Sequence, residues 1–301
     1  MMAASVERPS PFRIWVAAAR PATLPAALSP VMVGTALAAA HEQMRLDTAI
    51  AALVGAILIQ IATNFFNDYA DFKKGADTDE RLGPARATQK GWLRPEQVLA
   101  ASVIAFSLAV LVGAYLVYQA GWPVVMIGLA SILCGVLYTG GPKPLAYHGL
   151  GDVFVLLFFG VVAVCGTYYV QSFSWSNAVF LVSLGVGALI TAILVVNNLR
   201  DRETDAKAGK GTLVVRYGDF FGRAEYVFLI AAAYLLPVLL WLLAVDTVTV
   251  TWLFPLLSLP WAVLGTRRVL KAQGRELNPE LGATAKLGLL YSVLLSVGVV
   301  L

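Results

Sequence analysis

Two segments of the chain carry carboxylate and amide side chains at the spacing of one helical face. In the first segment these side chains recur at i, i+3, i+4 and i+7, at Asn64, Asn67, Asp68 and Asp71. In the second they recur at i, i+1, i+4 and i+8, at Asn197, Asn198, Asp201 and Asp205. Residues three and four apart on a helix are neighbours, so each segment presents a stripe of side-chain oxygens. Clustered carboxylates repel one another, and such a stripe beside a membrane is costly without a cation to offset it.

The cation that suits these side chains is Mg²⁺. It prefers hard oxygen ligands and is usually held by one or two carboxylates together with water and substrate phosphates. Neither segment has a His or Cys nearby, which disfavours zinc and copper. Basic residues that can neutralise a polyanion accompany the segments, at Lys73, Lys74, Arg81, Arg86, Lys90, Lys207 and Lys210. A single acidic loop is most often a solvated face, but two at corresponding positions predict a shared site for a metal and a diphosphate.

Apolar runs must position the two segments, and the composition indicates that lipid surrounds them. The 301 residues are 59% apolar and 13% charged, whereas a soluble domain carries about 45–50% apolar and about 25% charged residues. A spanning helix needs roughly 20 mostly apolar residues. Nine runs qualify, at residues 22–40, 48–66, 98–119, 123–139, 152–171, 177–199, 224–244, 251–265 and 284–301. We therefore expect one all-α domain over residues 1–301, a polytopic bundle of nine transmembrane helices.

The Lys and Arg residues favour one orientation of this bundle. With the N-terminus in the cytoplasm, 21 of the 22 Lys and Arg residues fall on the inner side, and only Arg45 falls outside. This orientation predicts a multi-pass protein of the inner membrane, with both acidic segments on the cytoplasmic face. Because the basic residues sit in loops rather than on one face of a soluble module, nucleic-acid binding is disfavoured.

The connections beside the two acidic segments are expected to cap the site, over about 67–97 and 200–223. Long ordered loops usually carry function. One acidic segment follows the second apolar run and the other follows the sixth. Runs 1–4 and 5–8 are therefore predicted to form two four-helix repeats, with the site at their interface.

The acidic segments resemble the motifs of the UbiA superfamily of intramembrane prenyltransferases. The first, Asn-Asp-x-x-Asp, matches residues 67–71, and the second, Asp-x-x-x-Asp, matches residues 201–205. One departure is that Gly75 stands at the fourth acidic position, and the next carboxylate is Asp77. This longer spacing is similar to the 1,4-dihydroxy-2-naphthoate polyprenyltransferase branch of menaquinone synthesis. Further stretches that resemble that branch are residues 20–25, 74–77, 81–84, 138–142, 149–152, 197–201 and 211–216.

The resemblance implies a Mg²⁺-dependent enzyme in the lipid bilayer that joins a polyprenyl diphosphate to 1,4-dihydroxy-2-naphthoate, releasing diphosphate and CO₂ and giving demethylmenaquinone. The catalytic residues it implies are Asp71, Asp201 and Asp205. The metal ligands it implies are Asn67, Asp68, Asp71, Asp77, Asp201 and Asp205. Diphosphate binding is expected from Lys74, Arg81, Lys207 and Lys210. Arg20 and Lys143 are candidates for the acceptor's carboxylate, because Arg and Lys pair with carboxylates.

Three alternatives stay open at the level of the sequence. Another aromatic acceptor, such as 4-hydroxybenzoate or homogentisate, or a phytyl donor, would use the same motifs. A secondary transporter is a more distant reading, since transporters place carboxylates near the bilayer midplane, whereas both segments here lie at one boundary. Finally, any single loop Lys or Arg can serve topology alone.

Overall fold

The computed structural model describes residues 9–75, 81–243 and 248–301, and all regular structure in these ranges is helical. The α-helices are α1 (Pro11–Ala19), α2 (Leu24–Ala40), α3 (Leu46–Lys73), α4 (Pro95–Ala120), α5 (Pro123–Thr139), α6 (Gly151–Val155), α7 (Ala163–Ser172), α8 (Asn177–Lys207), α9 (Leu213–Leu242), α10 (Leu259–Val269) and α11 (Leu277–Val300). A π-helical stretch, Leu156–Val162, joins α6 to α7, and a 3₁₀ helix, Val250–Ser258, leads into α10.

The nine predicted apolar runs correspond to nine helices of the described chain, from α2 to α11, when α6–α7 and Val250–Val269 each count as one. Seven helical stretches are long and apolar enough to cross a membrane by length and composition, among the residues that the structure covers. The helix α5 is shorter, with 17 residues, and the run before α11 is divided between 3₁₀ and α geometry. The all-helical, membrane-embedded architecture is thus confirmed.

The two helices that carry the acidic segments are longer than the apolar runs predict. The run at 48–66 extends to Lys73 in α3, and the run at 177–199 extends to Lys207 in α8. The second expected cap, 200–223, is therefore wrong as a loop, because only residues 208–212 separate α8 from α9. Charged side chains near the end of α8 pair with one another and with other elements, so the helix continues where hydropathy falls.

The helix α8 lies at the centre of the bundle and packs against α2, α9, α11 and the α6–α7 helix. Its neighbours contribute large buried side chains such as Tyr226 of α9 and Tyr291 of α11. The Tyr291 hydroxyl donates to the carbonyl of Ala233 at 2.7 Å, and the Tyr226 hydroxyl is 3.1 Å from Thr284 Oγ1. A phenol in an apolar core usually finds such a partner, and these contacts fix the helices behind α8.

Two glycines allow α8 and the α6–α7 helix to approach closely. A Cβ added at Gly187 would lie 2.7 Å from the carbonyl oxygen of Leu156 and 2.9 Å from the Cα of Gly160. A Cβ added at Gly160 would lie 2.8 Å from the Cα of Gly187. Small residues at such crossings let two membrane helices pack backbone against backbone.

Replacing Gly187 by Val is therefore expected to destabilise the bundle by at least about 1–3 kcal/mol, because the added atoms must push two backbones apart. The measurement is thermal unfolding of the purified protein in detergent. Gly113→Val in α4 is the matched control, since no neighbouring heavy atom lies within 4 Å of a Cβ added there. Equal unfolding temperatures for the two variants would contradict the close crossing.

Candidate active site

A cavity of about 1330 Å³ runs through the bundle between α2, α3, α4, α5, the α6–α7 helix and α8. Its polar end lies where α3 and α8 end, and carries Asn67, Asp71, Asp201, Asp205 and Lys210. Both Asp71 and Ala52 of α3 line it, and at 1.5 Å rise per residue they are about 28 Å apart along the helix. The cavity thus extends through most of a hydrocarbon core that is about 30 Å thick.

In the first acidic segment, Asn67 faces the cavity, whereas Asp68 binds the loop that follows residue 81. Asn67 lines the cavity, and its Oδ1 accepts a hydrogen bond from Thr139 Oγ1 at 2.5 Å. Asp68 is buried, and its two oxygens accept hydrogen bonds from the Ala87 amide at 3.2 Å and from Thr88 Oγ1 at 2.5 Å. Because both oxygens of Asp68 already have protein partners, this side chain anchors the chain after residue 81.

The two acidic segments meet at Lys210. Asp71 is buried, and its Oδ1 lies 3.3 Å from Lys210 Nζ, while its Oδ2 lies 3.2 Å from Arg86 Nη2. The same ammonium lies 3.9 Å from Asp205 Oδ1. The Lys210 ammonium therefore bridges carboxylates of both segments. The two acidic segments thus come together in the described structure, as the sequence predicts.

Asp201 is held by a residue to which the sequence analysis gave no role. The guanidinium of Arg200 donates to both oxygens of Asp201, at 2.8 and 2.5 Å. It also donates to Asn197 at 2.7 Å and to Asn278 of α11 at 3.1 Å. Gly83 packs on this guanidinium, since a Cβ there would be 2.7 Å from Arg200 Nη2. The sequence feature that could have revealed this role is an Arg at the end of a membrane helix, because a charge there requires partners.

The basic residues expected at the site separate into two groups. Arg20, Arg81 and Lys210 line the cavity. Lys143 and Lys207 are exposed and lie away from its lining, within the part of the chain that the structure describes. Lys207 follows Asp205 by two residues, which turns it to the other side of α8, and Lys143 lies in the connection after α5.

Lys74 follows the end of α3 and lies beside Tyr147. Its Nζ donates to the carbonyl of Thr139 at 2.6 Å and lies 4.7 Å from the centre of the Tyr147 ring. Lys210 Nζ lies 5.5 Å from the centre of the same ring. Desolvation lowers the pKa of Lys74, and the neighbouring Asp71 partly opposes this change. The Tyr147 ring therefore contacts two ammonium groups, those of Lys74 and Lys210, beside the acidic segments.

The side chains at this end fit a hard divalent cation. Oxygen donors of Asn67, Asp71 and Asp205 line the same cavity. Asp71 Oδ1 is buried, and the Lys210 ammonium 3.3 Å away forms an ion pair with it but lacks the geometry of a hydrogen bond. In the same ranges no three His, Cys, Asp or Glu side chains form a ready-made cage. Magnesium does not need one, because water and substrate phosphates complete its coordination. Asp77, the remaining expected ligand, lies outside the described residues.

Proteins of known sequence and structure resemble this chain over nearly its whole length. "1,4-Dihydroxy-2-naphthoate octaprenyltransferase" of Haemophilus influenzae is 35% identical over 300 residues, covering 96% of each chain. The protein of the same description from Escherichia coli is 36% identical over 294 residues, covering 95% of each. A UbiA homologue from Archaeoglobus fulgidus, solved with GPP and Mg²⁺, is 16% identical with a TM-score of 0.68, covering 94% of this chain and 99% of that one.

The solved structure has the same fold, and the two octaprenyltransferases align with 95–96% of the chain at 35–36% identity. The sequence profile of the UbiA prenyltransferase family matches residues 27–287, a range that contains both acidic segments and every helix that lines the polar end of the cavity. The chain therefore belongs to the UbiA prenyltransferase family.

Proposed function

We propose that the chain transfers a polyprenyl group from polyprenyl diphosphate to 1,4-dihydroxy-2-naphthoate, with loss of diphosphate and CO₂, to give demethylmenaquinone. The observation that carries this proposal is one cavity, about 28 Å long from Asp71 to Ala52, that joins the acidic segments at one end to a mainly apolar channel at the other. A charged diphosphate and a long hydrocarbon tail need these two environments side by side. Relatives that match over 95–96% of the chain are named for this reaction.

The acidic segments are proposed to hold Mg²⁺ through Asn67, Asp71, Asp201 and Asp205, with Asp68 and Asp77 as further candidates. Bound Mg²⁺ supplies Lewis-acid stabilisation of a diphosphate leaving group, an effect worth several kcal/mol. The support from this chain is the set of oxygen donors at the polar end and the buried Asp71 Oδ1 that accepts no hydrogen bond from the described residues.

Basic residues around the acidic segments are proposed to hold the diphosphate. Lys210 lies between Asp71 and Asp205, so its ammonium is placed to contact a phosphate that arrives there. Arg81 lines the cavity from the connection after α3, and Lys74, which is exposed, donates to the carbonyl of Thr139, a residue of the cavity lining. Lys207 and Lys143, which are exposed, have less support. Arg20 lines the cavity at the junction of α1 and α2, where it is placed to pair with the acceptor's carboxylate.

The apolar walls of the cavity are proposed to receive the prenyl chain and to exclude water. Phe154, Phe158 and Phe159 line it from the α6–α7 helix, and small residues line it from α4 and α5. An allylic cation is hydrolysed by water, so a site that breaks the allylic C–O bond must be dry. The channel favours this exclusion because most of its lining beyond the polar end is apolar, with a few polar side chains such as Gln60 and Thr167 among it.

The protein is proposed to lie in the inner membrane as a single domain with its N-terminus and active site on the cytoplasmic side. The support is the distribution of Lys and Arg, of which 21 of 22 fall on one side. The ends of α3, α5 and α8 and the start of α6 meet at that side. A water-soluble acceptor and the diphosphate product would then enter and leave through the cytoplasm.

Removal of the metal is expected to abolish product formation. Purified protein is incubated with 1,4-dihydroxy-2-naphthoate, a long-chain polyprenyl diphosphate and Mg²⁺, and demethylmenaquinone is measured by mass spectrometry. EDTA should eliminate the product, and excess Mg²⁺ should restore it, because the carboxylates alone repel the diphosphate. Mg²⁺-dependent product with only 4-hydroxybenzoate or homogentisate would overturn the choice of acceptor. No product with any acceptor, from folded protein, would favour the transporter reading.

A further inference from the structure

Asp152 is a buried carboxylate of the cavity that belongs to neither acidic segment. It lies at the start of α6, is 4% exposed and lines the cavity. Its side-chain partner among the described residues is Asn198, whose Nδ2 donates to Asp152 Oδ1 at the long distance of 3.5 Å. The first turn of α6 and its own backbone amide stabilise the carboxylate in part, and a ligand in the cavity can supply the further partner that a buried carboxylate needs.

Asp152 of α6 lies deeper in the cavity than the acidic segments, at the level of Asn198 on α8. Its partner Asn198 precedes Asp201 by one helical turn and Asp205 by two, on the same face of α8. Asn198 therefore lies about 10 Å further along the helix toward the apolar channel than Asp205. In a donor whose diphosphate binds at Asp205 and whose tail fills the channel, this is the level of the first carbons of the prenyl chain.

Tyr138 lies next to the turn that carries Asp152. Its hydroxyl lies 3.2 Å from the position of a Cβ added at Gly151, the residue that precedes Asp152. In the described part of the chain, the side chain that hydrogen-bonds to Asp152 is the neutral amide of Asn198 rather than a cation. An unpaired carboxylate repels both a diphosphate and an acceptor's own carboxylate. The ligand group that suits Asp152 is thus a neutral hydrogen-bond donor, such as a ring hydroxyl.

We propose that Asp152 binds the acceptor's ring hydroxyl beside the carboxyl-bearing carbon and carries its proton during the transfer, a role that rests on the proposed function. The O–H bond breaks and its proton passes to Asp152. The ring carbon that bears the carboxylate forms a bond to the allylic carbon, whose C–O bond to the diphosphate breaks. The ring oxygen is then a ketone, and the intermediate is a β-keto acid.

The second half of the reaction returns the proton. The bond from the ring carbon to the carboxylate breaks and releases CO₂, and its electron pair passes through the ring to the ketone oxygen. That oxygen takes the proton back from Asp152, so protons balance and no oxidant is needed. Transfer by a positioned acid and base typically contributes 10²–10⁴-fold to a rate. Arg20, on the wall formed by α1 and α2, is placed to hold the acceptor's carboxylate away from Asp152.

The test compares Asp152→Asn with the wild-type protein in two measurements. The first is kcat for demethylmenaquinone formation, which should fall by at least about 10²-fold. The second is Mg²⁺-dependent binding of the polyprenyl diphosphate alone, measured by calorimetry in detergent, which should change by less than about threefold. The KM of the acceptor should change less than kcat, because the amide keeps the shape of the site.

Glu225→Gln is the matched control. Glu225 of α9 is a half-buried carboxylate that does not line the cavity, so its neutralisation should leave kcat unchanged. Wild-type kcat in Asp152→Asn would overturn the inference. If Asp152→Asn loses donor binding, Asp152→Glu decides. Recovered turnover in that variant supports a carboxylate role, and no turnover despite donor binding overturns it. If the wild-type protein binds the donor but forms no product from dihydroxynaphthoate, the proposed function itself is overturned.

Discussion

Replacing Asp71 by Asn is expected to lower turnover by about 10²–10³-fold, the consequence of losing several kcal/mol of metal-based stabilisation. The side chain lies where the two acidic segments meet, 3.3 Å from Lys210 and 3.2 Å from Arg86. Asn has the same shape and retains one oxygen for Arg86, so the fold should persist. What it removes is the negative charge that a divalent cation needs at the buried Oδ1. The measurement is kcat at saturating donor, acceptor and Mg²⁺.

The control for this variant is Asp47→Asn on the same helix. Asp47 lies in the first turn of α3, at the opposite end from Asp71, and its exposed carboxylate contacts Arg45 at 3.4 Å. Its replacement should leave kcat unchanged. Gel filtration and thermal unfolding in detergent should give the same profile for both variants. Wild-type turnover in Asp71→Asn, with folded protein, would remove Asp71 from the set of metal ligands.

The parts of the architecture that depend on local patterns could be predicted from the sequence. Nine apolar runs gave nine helices, because the length of a membrane helix is set by the bilayer. The spacing within each acidic segment placed Asp71 and Asp205 on helical faces, and the structure joins them through Lys210. The meeting of the two segments could be predicted because two stripes of carboxylates repel each other unless they share a cation. The orientation in the membrane and the repeat of two four-helix units stay predictions.

The remaining features depend on contacts between distant parts of the chain. The hydropathy pattern predicts that α8 ends near residue 199. The helix continues to Lys207 because Arg200 and Asp201 form an ion pair that offsets both charges. Lys143 and Lys207 were expected at the site from proximity in sequence, but side-chain direction on a helix or loop decides which face they reach. Asp152 ends one of the stretches that resemble the family, residues 149–152, but the stretch assigned it no role, and its burial beside Asn198 becomes visible only in three dimensions.

Arg200 shows how such a long-range contact supports the site, and its replacement by Met is expected to destabilise the protein by about 3–5 kcal/mol. The side chains of Arg200 and Asp201 are 2% and 10% exposed. Removing the guanidinium leaves the Asp201 carboxylate buried without its counter-ion, and it also removes the bond to Asn278 that ties α8 to α11. Met keeps the length and the apolar contacts of the Arg stem. The measurement is the free energy of unfolding in mixed detergent micelles.

Two further variants separate charge pairing from loss of packing. Arg202→Met, two residues away on the same helix, lacks these buried partners and should change stability by no more than about 0.5 kcal/mol. In the double variant Arg200→Met/Asp201→Leu no buried charge is left alone, so much of the lost stability should return, because apolar residues can replace a buried ion pair at little cost. Turnover should not return with it, since Asp201 is a proposed metal ligand. Equal stabilities for Arg200→Met and Arg202→Met would show that the pair does not hold the end of α8.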